Sequence, residues 1–509
     1  MPTQEQVTDR PSALAADRFR EEDDAVPAEP TDDANGDPAR PGWWSRAGGG
    51  REVLTVAAPL VVSSLSWTVM TFVDRMLLNH WSGAAMSAAF VASTAWFAAL
   101  CLPLGICSYT NTFVAQYHGS DQPRRIGPSV WQGVWIALGA SPFILMAIPW
   151  GDAMFRAAGH TAADVALEGE YFSILCWGAP AMLLSQSLSA FWSGRGKTVV
   201  VMVVDALFAG LNVLLDWWWI FGLSIAWGQQ AIEIFPAAGI AGAGWATVVS
   251  LWLKAIVYFV MLVGGGGYRS EFASAAWWVD RPLLKRMLVF GGPSGVQLLL
   301  DVLGFTVFIL LVAQLGSVEN EATSMTFSIG SLAFMPVVGV GMAASILVGQ
   351  HLGEDNDAAA AQATWTSLHV GWGYMAIVSA LMVLVPGLFL SGFFVGEAVE
   401  GDLAQRAAVA AVAAVLMRFV AAYNFLDAAL IVFVSALKGA GDTRFILLAS
   451  LVMATLLGVL TWLAVEVLDA GLYGCWTLVS GWIMGLGLIF MLRFLQGKWR
   501  TMRVIEPPA

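Results

Sequence analysis

The hydrophobic positions of this chain fall into long, nearly uninterrupted runs between residues 54 and 495. A helix of about 20 apolar residues crosses a bilayer, whereas the strands of a barrel alternate and are about half as long. The runs therefore predict membrane-spanning helices. Twelve spans are predicted, at 54–79, 88–116, 129–150, 169–192, 199–222, 239–264, 288–315, 322–349, 366–392, 407–437, 444–467 and 472–494.

The second half of the chain repeats the first half. The residue pairs that are identical at a separation of 234 positions are Pro59/Pro293, Gly105/Gly339, Gln116/Gln350 and Gly119/Gly353. The Gly-x-Gly segment at 194–198 returns at 439–443 with an offset of 245, and Gly239/Gly242 return as Gly471/Gly474 with an offset of 232. Drifting offsets are typical of a duplicated unit with unequal loops, and a repeat this long is too large for a solenoid element.

Six spans in each half make the two copies run parallel, related by an axis along the membrane normal. The predicted fold class is therefore an all-α integral membrane protein with twelve transmembrane helices in two parallel six-helix lobes. The predicted domains are a disordered acidic cytoplasmic tail, an N-lobe, a cytoplasmic linker, a C-lobe and a second cytoplasmic tail. Their boundaries are 1–45, 46–264, 265–287, 288–495 and 496–509.

Composition supports the membrane class and locates the acidic charge. Hydrophobic residues make up 58% of the chain and charged residues 12%, against about 25% charged in an ordinary soluble domain. The net charge is −12, and residues 1–41 hold eleven acids against four arginines. This segment is poor in aromatic residues, which predicts disorder, and it lacks the apolar core of a signal peptide. The four cysteines are scattered through apolar segments and are predicted to be packing residues.

The distribution of basic residues predicts the orientation. Loops on one side of the predicted membrane carry sixteen Lys and Arg residues, whereas the other side carries only Arg156 and Arg406. By the positive-inside rule, both termini are cytoplasmic and the protein is a multi-pass protein of the inner or plasma membrane.

Charged residues inside a bilayer are costly, and their presence marks a function or a local ion pair. On the fifth span, Asn212 and Asp216 are four residues apart and project from one face. A carboxylate beside an amide oxygen suits a proton or a small cation, and Thr247 of the sixth span adds a hydroxyl. The neighbouring tryptophans 217–219 leave open that Asp216 is an interfacial acid at a span end. Asp74 lies well inside the first span, with a structural hydrogen bond as the alternative to a coupling role.

The C-lobe offers Asp301 and Asp427, midway along the seventh and tenth spans. Arg418 is nine residues before Asp427, about 13 Å along the helix, so its charge partner would lie on a neighbouring helix. A structural ion pair is the alternative reading of this group. Lys254, about two turns beyond Thr247, either pairs with an acid or snorkels to the interface.

The acids differ between the two halves. The position 234 residues after Asp74 is Phe308, and the position 234 residues before Asp301 is Trp67. These acids are therefore not shared features of the repeated scaffold, which favours a function over fold maintenance. Asp205 of the fifth span lies off the face of Asn212 and Asp216 and is left without a role.

The region from 54 to 495 resembles the multidrug and toxic compound extrusion (MATE) transporters, in particular their NorM-type branch. The order and spacing of several segments carry this resemblance. In the first half they are TFVDRMLLNHWSG (71–83), NTFVAQYHGSDQ (111–122), FWSGRGKTVV (191–200) and LNVLLDWWWIFG (211–222); in the second half they are GGPSGVQLLLD (291–301), SILVGQHLGE (345–354) and LDAALIVFVSALKGAGDT (426–443).

The resemblance implies an antiporter that exports amphipathic, usually cationic compounds in exchange for H⁺ or Na⁺. It assigns an N-lobe cation site to four residues, Asp74, Asn212, Asp216 and Thr247, and a C-lobe cation site to Asp301 and Asp427. Asp301 stands where Glu is more usual in that branch. Both sites look intact, so the coupling lobe and the choice between H⁺ and Na⁺ stay open.

Other function classes fit less well. The chain has no Walker A, HExxH, GxSxG or CxxC motif, and its loops leave little room for a catalytic domain, so we expect a transporter and not an enzyme. A lipid-linked precursor flippase of a related fold is the alternative, although it predicts a basic cavity where the mid-span charges here are mainly acidic. No cofactor is expected beyond the coupling ion. The expected partners are small organic cations and membrane lipids, with no nucleic acid, and the protein is expected to be a monomer.

Overall fold

The computed structural model describes residues 42–227, 230–264, 277–391 and 402–506. The described residues from 47 onward form one compact unit. The predicted acidic tail up to residue 41 and positions 265–276 of the predicted linker lie outside the described residues, so the predictions made for them stay predictions.

Within these described residues, twelve helices are long and apolar enough to cross a membrane, as the sequence predicts. We number them as spans 1 to 12. Their bounds are Gly50–Trp81, Gly83–Gly119, Pro123–Ala157, Ala162–Ser193, Thr198–Phe221, Gly239–Gly264, Arg281–Val312, Ser317–Gly353, Asp357–Leu384, Gln405–Ala440, Thr443–Glu466 and Gly471–Leu495.

Several spans are longer than predicted or are divided. Span 2 consists of the helices Gly83–Ser108 and Thr110–Gly119, and span 3 of Pro123–Leu145, a 3₁₀ turn at Ile148–Trp150 and Gly151–Ala157. A short helix, Pro386–Leu390, follows span 9, and the helix of span 10 begins at Asp402. Span 7 begins at Arg281, so the end of the predicted linker is helical.

One feature between spans 5 and 6 is absent from the predicted fold. The strands β1 (Leu223–Trp227) and β2 (Gln230–Phe235) pair antiparallel as a hairpin. The segment alternates apolar and polar residues over a stretch too short for a helical span, a pattern that favours strands.

Polar side chains fix where several spans begin. A helix leaves its first backbone N–H groups without partners, and a side-chain oxygen just before the helix supplies one. Ser82 accepts from the backbone of Ala85 at the start of span 2. Asp280 accepts from the N–H of Leu283 at 3.2 Å at the start of span 7. These caps set the helix starts that the hydrophobic runs alone leave undefined.

The packing of the spans repeats along with the sequence. In the N-lobe, span 1 packs on span 5, span 2 on span 4, and span 4 on span 6. In the C-lobe, the corresponding pairs are 7 with 11, 8 with 10, and 10 with 12. Between the lobes, span 1 packs on span 8 and span 2 packs on span 7. The first span of each copy thus packs on the second span of the other copy. This reciprocal pairing is what a twofold axis between parallel copies requires.

Small residues bring the lobes into backbone contact. A β-carbon at Gly105 of span 2 would collide with the backbone of Gly295 in span 7. A β-carbon at Gly339 of span 8 would collide with the backbone of Val61 in span 1. Gly105 and Gly339 are repeat partners, and so are Val61 and Gly295. The two crossings are therefore one contact made twice, of the close kind that small residues allow between membrane helices.

The repeated Gln-x-x-Gly segments exchange hydrogen bonds across the same interface. Gln116 donates through Nε2 to the carbonyl of Gly439 at 2.9 Å. Gln350 donates through Nε2 to the carbonyl of Gly194 at 2.8 Å. Gly194 and Gly439 begin the two copies of the repeated Gly-x-Gly segment. These bonds therefore hold the lobes together at the face that carries the basic loops.

The C-terminal segment also joins the two lobes at this face. Trp499 is buried in the C-lobe core and stacks on Phe494, whereas Val504 and Ile505 are buried in the N-lobe core. The N–H of Val504 donates to Oε1 of Gln116 at 2.8 Å. A segment predicted as a tail is therefore packed against both lobes as far as residue 506.

We expect Gly339→Ala to destabilise the fold. The added methyl group meets the backbone of span 1, and overpacking of this kind costs about 1–3 kcal/mol. Gly373→Ala on span 9 is the matched control, because open space surrounds that position and alanine favours the helix by about 1 kcal/mol. Thermal unfolding of the purified protein, followed by tryptophan fluorescence, measures both. Equal melting temperatures would contradict the close contact between spans 1 and 8.

Candidate functional site

The predicted N-lobe residues meet in the interior of that lobe. Asn212 and Asp216 lie one turn apart on span 5 and are fully buried, and Thr247 faces them from span 6. The amide of Asn212 serves both neighbours when its nitrogen donates to Oδ2 of Asp216 at 3.0 Å and its oxygen accepts from the backbone N–H of Thr247 at 3.3 Å. Asp216 is therefore a buried residue of the lobe and not an acid exposed at a span end.

Asp74 of span 1 joins this group through Tyr171 of span 4. The Tyr171 hydroxyl donates to Oδ2 of Asp74 at 3.3 Å. Tyr171 lies within electrostatic reach of both Asp74 and Asp216, and the two carboxyl groups also interact with each other. Four spans, 1, 4, 5 and 6, thus bring two acids together, which we call the N-lobe acid site (Asp74, Asn212, Asp216, Thr247).

The N-lobe acid site has buried oxygens without partners. Oδ1 of Asp74 and Oδ1 of Asp216 are both buried and accept no hydrogen bond from the described residues. An ionised carboxylate in that state is costly, and a bound proton or cation relieves the cost. The atoms available as cation ligands are carboxylate, amide and hydroxyl oxygens, the set that hard cations such as Na⁺ prefer. The residues therefore fit either coupling ion.

The C-lobe acids are arranged differently. Asp301 of span 7 accepts from Nε2 of Gln297, one turn earlier on the same helix. Oδ1 of Asp301 and Oε1 of Gln297 are buried and have no hydrogen-bond partner in the part of the chain that the structure describes. Asp301 also lies within electrostatic reach of Lys438 from span 10 and of Cys101 from span 2. It therefore sits where the two lobes meet, near a cation that belongs to the protein.

Asp427 of span 10 is 8% exposed and forms no hydrogen bond or ion pair with the described residues. Its neighbour Asn424 donates to the hydroxyl of Ser379 on span 9 at 2.9 Å. No contact joins Asp427 to Asp301 in the part of the chain that the structure describes, and spans 7 and 10 do not pack along each other. The structure does not bring the two predicted C-lobe acids together.

The two predicted charge partners have different surroundings. Arg418 is exposed, and no carboxylate of the described residues lies within ion-pair distance of it. Lys254 of span 6 forms an ion pair with Asp205 of span 5, with 2.7 Å between Nζ and Oδ1. Of the two roles considered for Lys254, the structure shows pairing with an acid. Asp205, which the sequence left without a role, is its partner.

Three residues near the acids were missed by sequence reasoning. Gln297 could have been found, because its spacing of four residues from Asp301 places both on one helix face. The predicted span 10 ends at residue 437, just before Lys438, whereas the helix extends to Ala440 and includes this lysine. Tyr171 is 97 positions from Asp74 and gave no signal.

Comparison with known proteins gives a consistent result. The family model described as MatE matches residues 59–218 and 293–463, two segments that begin 234 positions apart. The chain is 27% identical to the multidrug resistance protein NorM of Photobacterium profundum, over 88% of this chain and 95% of the relative. It is 28% identical to the multidrug resistance protein MdtK of Yersinia pseudotuberculosis, over the same shares of the two chains.

Solved structures share the fold. A multidrug resistance MATE family transporter of the MOP superfamily, in an outward-facing conformation, superimposes with a TM-score of 0.78 at 16% identity, covering 89% of this chain and 97% of that chain. The eukaryotic MATE transporter AtDTX14 superimposes with a TM-score of 0.75 at 18% identity, covering 88% and 96%.

Two substitutions should change stability in opposite directions at alkaline pH. We expect Asp216→Asn to raise the melting temperature, because it removes a buried charge that has an unpartnered oxygen. We expect Asp205→Asn to lower it, because Lys254 loses its ion-pair partner, at a cost of up to about 3 kcal/mol. Thermal unfolding of both variants in one detergent checks the contrast. A loss of stability in Asp216→Asn would mean that its carboxylate is already satisfied.

Proposed function

The chain belongs to the MatE family, whose members are transporters and not enzymes, and we propose that it is an antiporter that exports amphipathic organic cations in exchange for H⁺ or Na⁺. The names of its relatives, multidrug resistance proteins, support small-molecule substrates. We further propose that it lies in the inner or plasma membrane with both termini on the cytoplasmic side, on the basis of its basic loops.

The observation that carries the proposal is the N-lobe acid site. Two carboxyl groups from different spans interact inside the lobe, and each has a buried oxygen with no partner among the described residues. A buried carboxylate oxygen without a donor is costly, and a bound proton or small cation relieves that cost at either acid. A site that is incomplete without a cation is what an exchanger requires.

We assign coupling to the N-lobe rather than to the C-lobe. The N-lobe brings all four predicted residues into one cluster. In the C-lobe, Asp301 already has Lys438 within electrostatic reach, and Asp427 lies apart from it. A carboxylate near a fixed cation gains less from a mobile one. Asp74 has Arg75 within electrostatic reach, whereas the charged neighbour of Asp216 is another carboxylate, so a mobile cation gains most at Asp216.

Exchange follows from the two-lobe architecture. The lobes are closed at one face by the bonds from Gln116 and Gln350, and a cation at the N-lobe acid site favours one arrangement of the lobes over the other. An organic cation that binds the opposite arrangement better is then coupled to the ion. Coupling free energies of this kind are typically about 1–3 kcal/mol and act in both directions.

The first test is efflux of ethidium, a fluorescent organic cation, from proteoliposomes that contain the purified protein. A pH gradient and an Na⁺ gradient are imposed separately. We expect one of them to drive export and the other to have little effect, which identifies the coupling ion. If neither gradient drives ethidium efflux although the protein shows a sharp thermal unfolding transition, the antiporter proposal is wrong and a lipid flippase is favoured. Translocation of a labelled lipid-linked precursor tests that alternative.

Asp74→Asn should reduce gradient-driven efflux by at least about tenfold, because the neutral amide removes one of the two interacting carboxylates. Asp152→Asn is the matched control, an exposed acid of the same lobe outside the site. Asp427→Asn tests the other lobe. If Asp427→Asn abolishes coupled efflux while Asp74→Asn retains it, the assignment to the N-lobe is wrong.

A further inference from the structure

A second charged group lies in the N-lobe, away from the acid site. Asp205 of span 5 and Lys254 of span 6 form an ion pair with side chains 17% and 21% exposed. The hydroxyl of Ser63 on span 1 donates to Oδ2 of Asp205, and that of Tyr258 donates to Oδ1 at 3.2 Å. Three spans are therefore joined at one carboxylate that has a donor on each oxygen.

This ion pair borders a cavity of about 50 Å³. Spans 1, 5 and 6 line it, and its polar lining includes Ser63, Thr247 and Ser250 beside the ion pair, with Met70 among the apolar residues. Thr247 also belongs to the N-lobe acid site, so the cavity reaches from one residue of that site to the ion pair. Ser250 is 4% exposed, and its hydroxyl oxygen has no partner among the described residues.

The cavity has the properties of a hydrated space. A water needs about 10–15 Å³ of room and two to four polar partners, and an apolar cavity of similar size stays dry. Here the unpartnered Ser250 hydroxyl, the Thr247 hydroxyl and the ion pair supply those partners. The volume is enough for more than one water molecule.

The direction of the cavity is given by the helices that line it. Asp205 lies eleven residues before Asp216 on span 5, about 16 Å along the axis, toward the face of the Gln116 and Gln350 bonds. Lys254 lies seven residues beyond Thr247 on span 6, about 10 Å in the same direction. The cavity thus leads from the acid site toward the closed face.

The C-lobe has the same arrangement of spans without this ion pair. With the offsets of 245 for span 5 and 232 for span 6, the counterparts in the C-lobe are Ser450 and Leu486. Both are buried, and neither carries a charge. Charges were placed at these positions in the N-lobe alone, the lobe to which we assign coupling.

We propose that this cavity is a hydrated relay site, through which the coupling cation passes between the N-lobe acid site and the closed face. Asp205 is the carboxylate that receives the cation transiently, and Lys254 neutralises Asp205 when no cation is present. Because the lysine weakens the attraction of Asp205 for a mobile cation, Asp205 passes the cation on, whereas the N-lobe acid site retains it. An arriving cation competes with the Lys254 ammonium for the Asp205 oxygens, so the carboxylate is never left without a counter-charge. The waters held by Ser250 and Thr247 carry the cation between the two groups. This inference rests on the proposed function, since it deepens the role of the same lobe.

The functional test removes both charges together. Asp205→Asn/Lys254→Gln avoids leaving one charge unpaired, a change that buried pairs often tolerate in stability. We expect gradient-driven ethidium efflux to fall at least about tenfold, while ethidium affinity, measured by tryptophan quenching, stays within about twofold. The matched control is Asp442→Asn/Arg493→Gln, which neutralises an ion pair of the same length, 2.7 Å, in the C-lobe. Efflux that is unchanged in the first variant, or equally reduced in both, would overturn the relay.

A second variant separates the waters from the ion pair. Ser250→Leu fills the cavity with apolar atoms and leaves Asp205 and Lys254 intact. We expect the same loss of efflux, because the waters between the two groups are displaced. If the ion pair only holds spans 5 and 6 together, Ser250→Leu will transport at the normal rate, and that outcome would contradict the proposal.

Hydration can be measured without transport. In hydroxyl-radical labelling with mass spectrometry, radicals formed from bound water modify Met70, which lines the cavity, whereas the fully buried Met287 and Met417 stay at background. Ser250→Leu should suppress the labelling of Met70. If Met70 of the unaltered protein is labelled only at background level, the cavity is not hydrated and the relay proposal is wrong, even if ethidium efflux is coupled to an ion gradient. Labelled Met70 in a protein that exports nothing would instead place the failure in the proposed function.

Discussion

A charged side chain inside a bilayer needs a partner, and this constraint separates the acids of the protein into two kinds. Asp205 has a lysine and two hydroxyl donors, so its charge is fully compensated by the fold. Asp74 has Arg75 within electrostatic reach, whereas the charged neighbour of Asp216 is the carboxylate of Asp74. Each of these two acids keeps one buried oxygen without a partner among the described residues. Asp216 therefore has a like-charged neighbour in place of a counter-charge, so the N-lobe acid site is where a mobile cation is held, whereas Asp205 only passes one on.

The duplication explains the scaffold, whereas the charged candidate residues lie at positions where the two copies differ. Contacts that hold the lobes together occur twice, as with Gly105 and Gly339 or Gln116 and Gln350. The charged groups occur once, with Phe308 and Trp67 at the positions that correspond to Asp74 and Asp301. A symmetric frame can alternate between two openings of similar energy, whereas an unsymmetric set of charges lets an ion favour one of them.

The sequence predicted the scaffold well, because a membrane span is a local property of about 20 residues. The twelve spans are confirmed, and so is the family to which the repeated motifs point. Contacts between distant positions were not predictable in the same way. Tyr171 meets Asp74 across 97 residues, and no periodicity links a tyrosine of span 4 to an acid of span 1.

The ends of the helices were also hard to predict from the sequence, because a run of apolar residues does not show where a helix ends or where a terminal segment packs. Lys438 was assigned to a loop and belongs to span 10. Residues 496–509 were expected to be a tail, whereas Trp499 and Val504 are buried in different lobes. In both cases the position of a polar or terminal segment depends on packing against a surface that forms only when the lobes have assembled.

Span 1 connects the acid site to the interface between the lobes. It carries Asp74 toward one end, and nearer its start Val61 makes the close contact with Gly339 of span 8. Between these points, the hydroxyl of Ser64 donates to the carbonyl of Met335 on span 8 at 3.1 Å. A helix transmits a displacement along its axis because its backbone bonds are internal. Asp74 therefore lies on the same helix that contacts span 8, which gives the acid site and the interface between the lobes one element in common.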